Sequence, residues 1–384
     1  MTHLRGFGWA VLPALLAAFQ SWACSVPVFR YALERWETDP YSLLIFHRGE
    51  LNAEQTELVA ALRKWAEQRP VTANVVLETC DLAGKLAPER QAIWDSQTDA
   101  QLPWMVVLYP GWGEPIVAWA GPLNAANALA LVDSPARRQI ATRLLKGDSV
   151  VWLLLECGRR QEDRKIAAWL KPELDRLQGT LELPEQPAPD DFAPPSSRLN
   201  SDLPLRLAFS TLAVSRSDPA ERIFVEMLLR TEPELRGHDG PIVFVLFGKA
   251  RVLGALYGKI LNETYLTDAA TFLIGECQCM VKEQNPGLDL LLAADWDALL
   301  DGRRVEDPPP PALLGLSAAA QAAAGLAPGA APGTAPAATG AQGPAGSPPV
   351  RSVVLRNVVL AAGGLVILAA ALTLILRSRA RKAG

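Results

Sequence analysis

One order of elements is written twice along this chain. Tyr41–His47 (YSLLIFH) is a β-rich apolar run, residues 53–68 place Leu58, Ala61, Leu62 and Trp65 at helical spacing, and residues 74–79 offer a second strand. A helix around residues 90–95 follows, then strands at 104–109 and 115–120 split by the turn Pro110-Gly111-Trp112-Gly113. A last helical region closes the set, with Ser134-Pro135 as the N-cap and first-turn pair of a helix that runs to Leu145. From Val150 the order β-α-β-α-β-β-α begins again. Its elements are a strand at 150–155, a helix at 161–177, a strand at 206–210 continuing to 214, a helix at 220–229, strands at 242–247 and 252–257, and a helix at 263–274. The halves align in detail: Leu102-Pro103-Trp104-Met105 faces Gly240-Pro241-Ile242-Val243, and Gly121-Pro122-Leu123-Asn124 faces Lys259-Ile260-Leu261-Asn262. Duplication is the simplest account, with residues 182–204, rich in Pro and Asp, as a long loop inside the second copy.

The two ends read as addresses. Arg5, an apolar run over residues 7–19 and the small-x-small site Ser21-Trp22-Ala23 form a signal peptide over residues 1–23. The competing reading is an N-terminal anchor, but about thirteen apolar residues fall short of the roughly twenty that cross a bilayer. Cleavage makes Cys24 the mature N-terminus; Ala23-Cys24 is also the core of a lipobox, with Ser21 and Trp22 poor residues ahead of it. Residues 357–376 carry no charge and match one transmembrane helix, and the basic tail beyond it, Arg377 to Lys382, places the C-terminus in the cytoplasm. Residues 307–350, opening near four consecutive prolines, form a disordered Pro/Ala/Gly stalk. Such a chain is a single-pass membrane protein whose bulk is periplasmic or extracellular, held to the lipid bilayer by its C-terminal helix.

The formal charge of −4 hides the character of the body. The ends hold seven basic and no acidic side chains, so residues 24–350 keep 30 basic against 41 acidic, a net of −11. That balance offers no footprint for a phosphate backbone and excludes nucleic acid as a partner.

The element order, with a proline directly before the third strand of each copy (Pro103 and Pro241), resembles the thioredoxin fold. The resemblance covers residues 24–306 and implies an α/β chain of two tandem thioredoxin-like domains, 24–147 and 148–306, in which a structural cis proline is expected at one of the two positions at least. The block Cys24-Ser25-Val26-Pro27-Val28-Phe29-Arg30-Tyr31-Ala32-Leu33-Glu34-Arg35-Trp36 is similar to the opening of a bacterial family of exported, C-terminally anchored proteins, which supplies no activity to carry over. Where active thioredoxins have Trp-Cys-x-x-Cys, the first copy has His47-Arg48-Gly49-Glu50 and the second Cys157-Gly158-Arg159-Arg160.

Dithiol catalysis needs a thiolate at a helix start and a resolving thiol within a turn. Cys157 supplies the first alone, with Arg159 and Arg160 beside it to favour the thiolate; the alternative is a buried strand-end cysteine or half of a structural disulfide. Cys277-Gln278-Cys279 can form a strained disulfide or hold a soft metal such as Cu(I), whereas zinc would need two more ligands and the mature chain has only His47 and His238. The plainer reading is that export oxidises this pair onto Cys80, Cys157 or Cys24 as structural staples, and the odd count of five leaves one thiol over. No serine triad, phosphate loop or His-x-x-x-His pattern occurs, and no cofactor is implied. Trp112, in a strand-connecting turn, is the tryptophan placed to touch a partner.

These readings lead to a membrane-tethered interaction or accessory module for another envelope protein. Two alternatives stand beside it. One is a thiol-disulfide oxidoreductase or soft-metal chaperone using Cys277 and Cys279, with Cys157 as a further candidate; the other is an accessory subunit of a membrane transport assembly.

Overall fold

Leu43 and Ile45 point to one side of the strand that carries them, and Leu44 and Phe46 to the other, into two separate apolar clusters. A strand buried on both faces reads as an unbroken apolar run, and that is why Tyr41–His47 (β1) was legible as a strand. The computed structural model describes residues 25–68, 71–111, 113–188, 194, 197–201, 203–277 and 281–296. The signal peptide, Cys24, Trp112, Cys279, the stalk and the transmembrane segment lie outside the described residues. Among those described, no helix is long and apolar enough to cross a membrane.

The described residues form a mixed α/β protein with three sheets. Its elements are α1 (Val28–Arg35), β1, α2 (Ala53–Glu67), β2 (Thr72–Ala73), β3 (Val75–Asp81), α3 (Pro88–Asp95), β4 (Trp104–Leu108), β5 (Val117–Pro122), α4 (Ala125–Val132) and α5 (Pro135–Leu145). There follow β6 (Val150–Glu156), α6 (Arg160–Thr180), β7 (Phe209–Ser215), α7 (Arg222–Leu228), β8 (Ile242–Phe247), β9 (Arg251–Tyr257), α8 (Glu263–Ile274), β10 (Leu288–Asp289) and β11 (Ala293–Ala294).

In the first sheet the order is β3-β1-β4-β5, with β1 parallel to β3 and antiparallel to β4, and β4 antiparallel to β5. In the second it is β7-β6-β8-β9, paired in the same senses, with β10 added on the outer edge of β9. The aligned passages occupy equivalent places: Pro103 directly precedes β4 and Pro241 directly precedes β8. The Leu102-Pro103 bond is cis and the Gly240-Pro241 bond is trans. Asn124 and Asn262, which face each other in the alignment, both cap helices, accepting from Asn127 N at 2.9 Å and Tyr265 N at 3.2 Å.

Strand β11 and helix α7 tie the two sheets into one body, and α1 completes the second. Helix α1 packs Val28, Phe29, Tyr31 and Ala32 against Val150, Trp152 and Leu154 of β6 and Val245 and Phe247 of β8, so the N-terminal segment completes the second sheet. Strand β11, near the end of the described chain, pairs with β2 beside the first sheet. Helix α7 lies between, with Ile223 and Met227 in the core of the first sheet and Phe224, Val225 and Leu228 in that of the second. Arg137 of α5 is buried in this junction, its guanidinium 4.8 Å over the Phe224 ring and donating to Ala130 O at 2.8 Å; burial lowers its pKa to about 10.

A buried ion pair fastens the long loop of the second half. Arg30 Nε donates to Glu34 Oε1 one helical turn on, and Glu34 also accepts from Ser201 Oγ and Asn200 N, each at 2.7 Å. Arg30 Nη2 donates to Ser201 Oγ at 2.8 Å and to Leu203 O. Arg30 and Glu34 therefore have a structural role: their charges lash α1 to Asn200, Ser201 and Leu203.

Candidate functional site

Strand β6 ends at Glu156 and α6 starts at Arg160, leaving Cys157, Gly158 and Arg159 to make the corner. Gly158 turns it with φ +88°, a conformation that strains any residue with a Cβ. Asp163, in the first turn of α6, reaches back over the corner and accepts from the backbone N–H of Cys157 at 2.8 Å and of Gly158 at 3.0 Å. That carboxylate holds the two N–H groups just ahead of the helix, while the Arg159 backbone N–H bonds the Cys157 sulfur.

Arg159 also has carboxylate partners of its own. Arg159 is bidentate to Glu162 at 2.6 and 2.8 Å and lies 3.6 Å from Asp239, so its charge is spent on carboxylates. Partial burial raises the Cys157 pKa; the Arg159 backbone N–H that bonds it and the Arg159 charge lower it, while the bond to Asp163 and its charge raise it, and the net direction is upward. Arg159 thus pulls in the expected direction, and burial together with Asp163 outweighs it. From the far side Arg216, just beyond β7, donates to His238 O at 2.8 Å and Gly240 O at 2.7 Å, linking the end of that strand to the Gly240-Pro241 loop. Burial lowers its pKa, and its Nε is buried with no hydrogen-bond partner among the described residues. His238 packs on the Tyr257 ring at 5.1 Å.

The matching corner of the first half also turns on a glycine, over a longer connection of residues 48–52, and has no sulfur. Gly49 turns it with φ +70°, the His47 Nδ1–H donates to Gly49 O at 2.7 Å, and Asp81 at the end of β3 accepts from Gly49 N and Ala83 N, each at 2.9 Å. Those two backbone bonds hold the Asp81 pKa below its ordinary value. Both corners therefore contain an aspartate that collects backbone N–H groups.

The remaining cysteines lie apart. Cys80 is buried on β3 beside Glu78, and burial together with that carboxylate pushes its thiol up to about 11. Cys277 follows α8 and is buried in the cluster that holds α1, where its N–H donates to Val26 O at 3.0 Å. No disulfide joins Cys80, Cys157 and Cys277 to one another. Among the described residues no group of three or more potential ligands is positioned for a metal ion. Asp163 and Arg216 were missed from the sequence. Asp163 left a faint signal as an acid in a helix's first turn; Arg216 left none, because only the fold brings it to Gly240.

In sequence comparisons no family model and no curated protein matches this chain.

Proposed function

We propose that the protein is a non-enzymatic, membrane-tethered extracytoplasmic module built from two thioredoxin-like domains that have given up thiol chemistry, and that it serves as an interaction or accessory partner of another envelope protein. The observation that carries this reading is Cys157 at the start of α6, a cysteine with no second thiol within a turn, whose pKa burial and the neighbouring Asp163 carboxylate push above its ordinary value. Supporting it, the first half places His47, Gly49 and Asp81 at the same corner with no sulfur at all, and the two sheets share one strand order. Export and anchoring rest on residues 1–23 and 357–376 and on the basic tail.

The test is turnover of a model protein disulfide by the purified full chain in detergent, alongside the Cys157→Ser variant. The expected result is a rate indistinguishable from the uncatalysed thiol-exchange background for both. Turnover at least tenfold above that background which disappears in Cys157→Ser, with the melting temperature unchanged, would replace this reading with the oxidoreductase.

A further inference from the structure

Building on the accessory-module reading, we infer that the outer face of α5 is a docking groove for an extended acidic segment of a partner protein, bound where the helix borders the free edge of β7. Residues 134–147 carry four basic side chains and no acid, in a body of net charge −11. One of the four, Arg137, is buried in the junction between the sheets. The other three lie along a groove of about 490 Å³ lined by Pro135, Arg138, Gln139, Thr142, Arg143 and Lys146. Pro135, Arg138, Gln139, Thr142 and Lys146 are exposed and recur at helical spacing, so the groove follows one face of the helix.

Little in the fold neutralises these cations. Arg138 pairs with Asp133, which flanks the helix. Among the described residues neither Arg143 nor Lys146 pairs with a carboxylate, and Arg143 donates instead to Thr211 O at 2.6 Å and to Gln139 Oε1 at 3.5 Å. Arg206, 3.7 Å from Asp148, adds a fourth cation at the end of the helix by donating to Lys146 O at 2.7 Å. A concave basic surface on an acidic body selects an anionic partner and fixes it to this one face.

The neighbouring sheet gives that partner its form. β7 is the outermost strand of its sheet, and Thr211 and Ala213 are exposed on it. Val150 N donates to Ala208 O and Arg216 N to Glu156 O, so in this parallel ladder the even-numbered residues of β7 turn their backbone to β6, and Thr211 and Ala213 turn theirs outwards. An edge of this kind accepts an added strand through main-chain hydrogen bonds. Arg138, Arg143 and Lys146 span about 12 Å along the axis at 1.5 Å per residue. An extended chain covers about 13 Å in four residues, with alternate side chains on one side. Acidic residues at the first, third and fifth positions of a strand therefore meet Arg138, Arg143 and Lys146 in turn. A membrane or a nucleic acid presents a broad anionic surface that the acidic body repels, whereas a single strand reaches the groove alone.

The experiment is fluorescence anisotropy of the full chain in detergent with a labelled nine-residue peptide of alternating Glu and Thr, compared with the isomer that has its five Glu in one block. The expected result is saturable binding that weakens with added salt and is at least tenfold weaker for the block isomer. The Arg138→Gln/Lys146→Gln variant should bind the alternating peptide at least tenfold more weakly at an unchanged melting temperature, since both side chains are exposed. Equal affinity for the two isomers, or full binding by the variant, overturns the groove. So does an affinity for phosphatidylglycerol vesicles that the variant loses while the peptide fails to bind. If the variant does not fold, the comparison of isomers on the wild-type chain still decides. Absence of binding overturns the groove alone, because the accessory-module reading stands or falls on disulfide turnover.

Discussion

Arg30 Nε donates to Glu34 Oε1 at 2.7 Å in a place where the two side chains are 2% and 0% exposed. Removing one partner of such a pair leaves a buried charge without compensation, typically at a cost of about 3–5 kcal/mol. Glu34→Ala also strips acceptors from Ser201 and Asn200, so the expected loss is at the upper end of that range, measured as a drop in the urea midpoint. Replacing both by apolar residues, Arg30→Met with Glu34→Leu, should cost less than Glu34→Ala alone. A double variant as unstable as the sum of the singles would show that the pair contributes through something other than mutual charge compensation.

Gly248 stands where α1 meets the β8–β9 turn. A Cβ there would lie 2.7 Å from the Ala32 Cβ, and φ is +58°. Gly248→Ala should destabilise by about 1–3 kcal/mol, of which about 1 kcal/mol is the backbone conformation. Ala32→Gly in the same chain should recover the steric part and leave the backbone part. Equal midpoints for the single and double variants would refute the contact.

Asp163 should control the reactivity of Cys157. In Asp163→Asn the negative charge beside the thiol is gone, the Cys157 pKa falls, and alkylation by iodoacetamide at pH 7 speeds up severalfold, because the thiolate is the reacting form. Cys80 should stay unmodified in the folded chain of both proteins, since it is buried with its thiol raised to about 11. An unchanged alkylation profile in the variant would remove Asp163 from this role.

Asp81 should add an acid limb to the stability profile. Its folded pKa lies below the unfolded value, so its contribution is fully present above the ordinary carboxylate pKa of about 4 and is lost as pH falls through the folded value. Asp81→Asn should therefore be less stable than wild type at pH 6, with the gap closing as the pH drops below about 4. A gap that stays constant between pH 6 and pH 3 would mean that the ionised carboxylate is not what Gly49 and Ala83 bind.

The central strands were legible because burial on both faces leaves a continuous apolar run. Tyr41–His47 and Ile242–Phe247 have the bounds read from the sequence, and Glu263–Ile274 follows from its cap and its apolar spacing. Helix α1 was not legible. Its Arg30 and Glu34 face inwards, so the polar side of the helix that a sequence pattern relies on is itself buried. Strands β2 and β11 are two residues each, too short to show a period, and they exist because distant segments meet. At the site, the position of Cys157 at a helix start was readable from order alone. Its electrostatic setting was not, because that depends on burial and on a carboxylate six residues later turning back.

The crossing of the two ends has a bearing on how the chain comes to be folded as it is made. Helix α1 is synthesised first, yet the surface it covers is built from β6 and β8, more than a hundred residues later. Strand β2 likewise waits for β11, the last described strand. A polypeptide emerging N-terminus first must carry the apolar face of α1 uncovered until the second sheet has formed, and it cannot close the first half until residue 294 is out. The protein thus completes itself in one late step rather than half by half, and through that interval its earliest segment depends on whatever holds unfolded chains in solution.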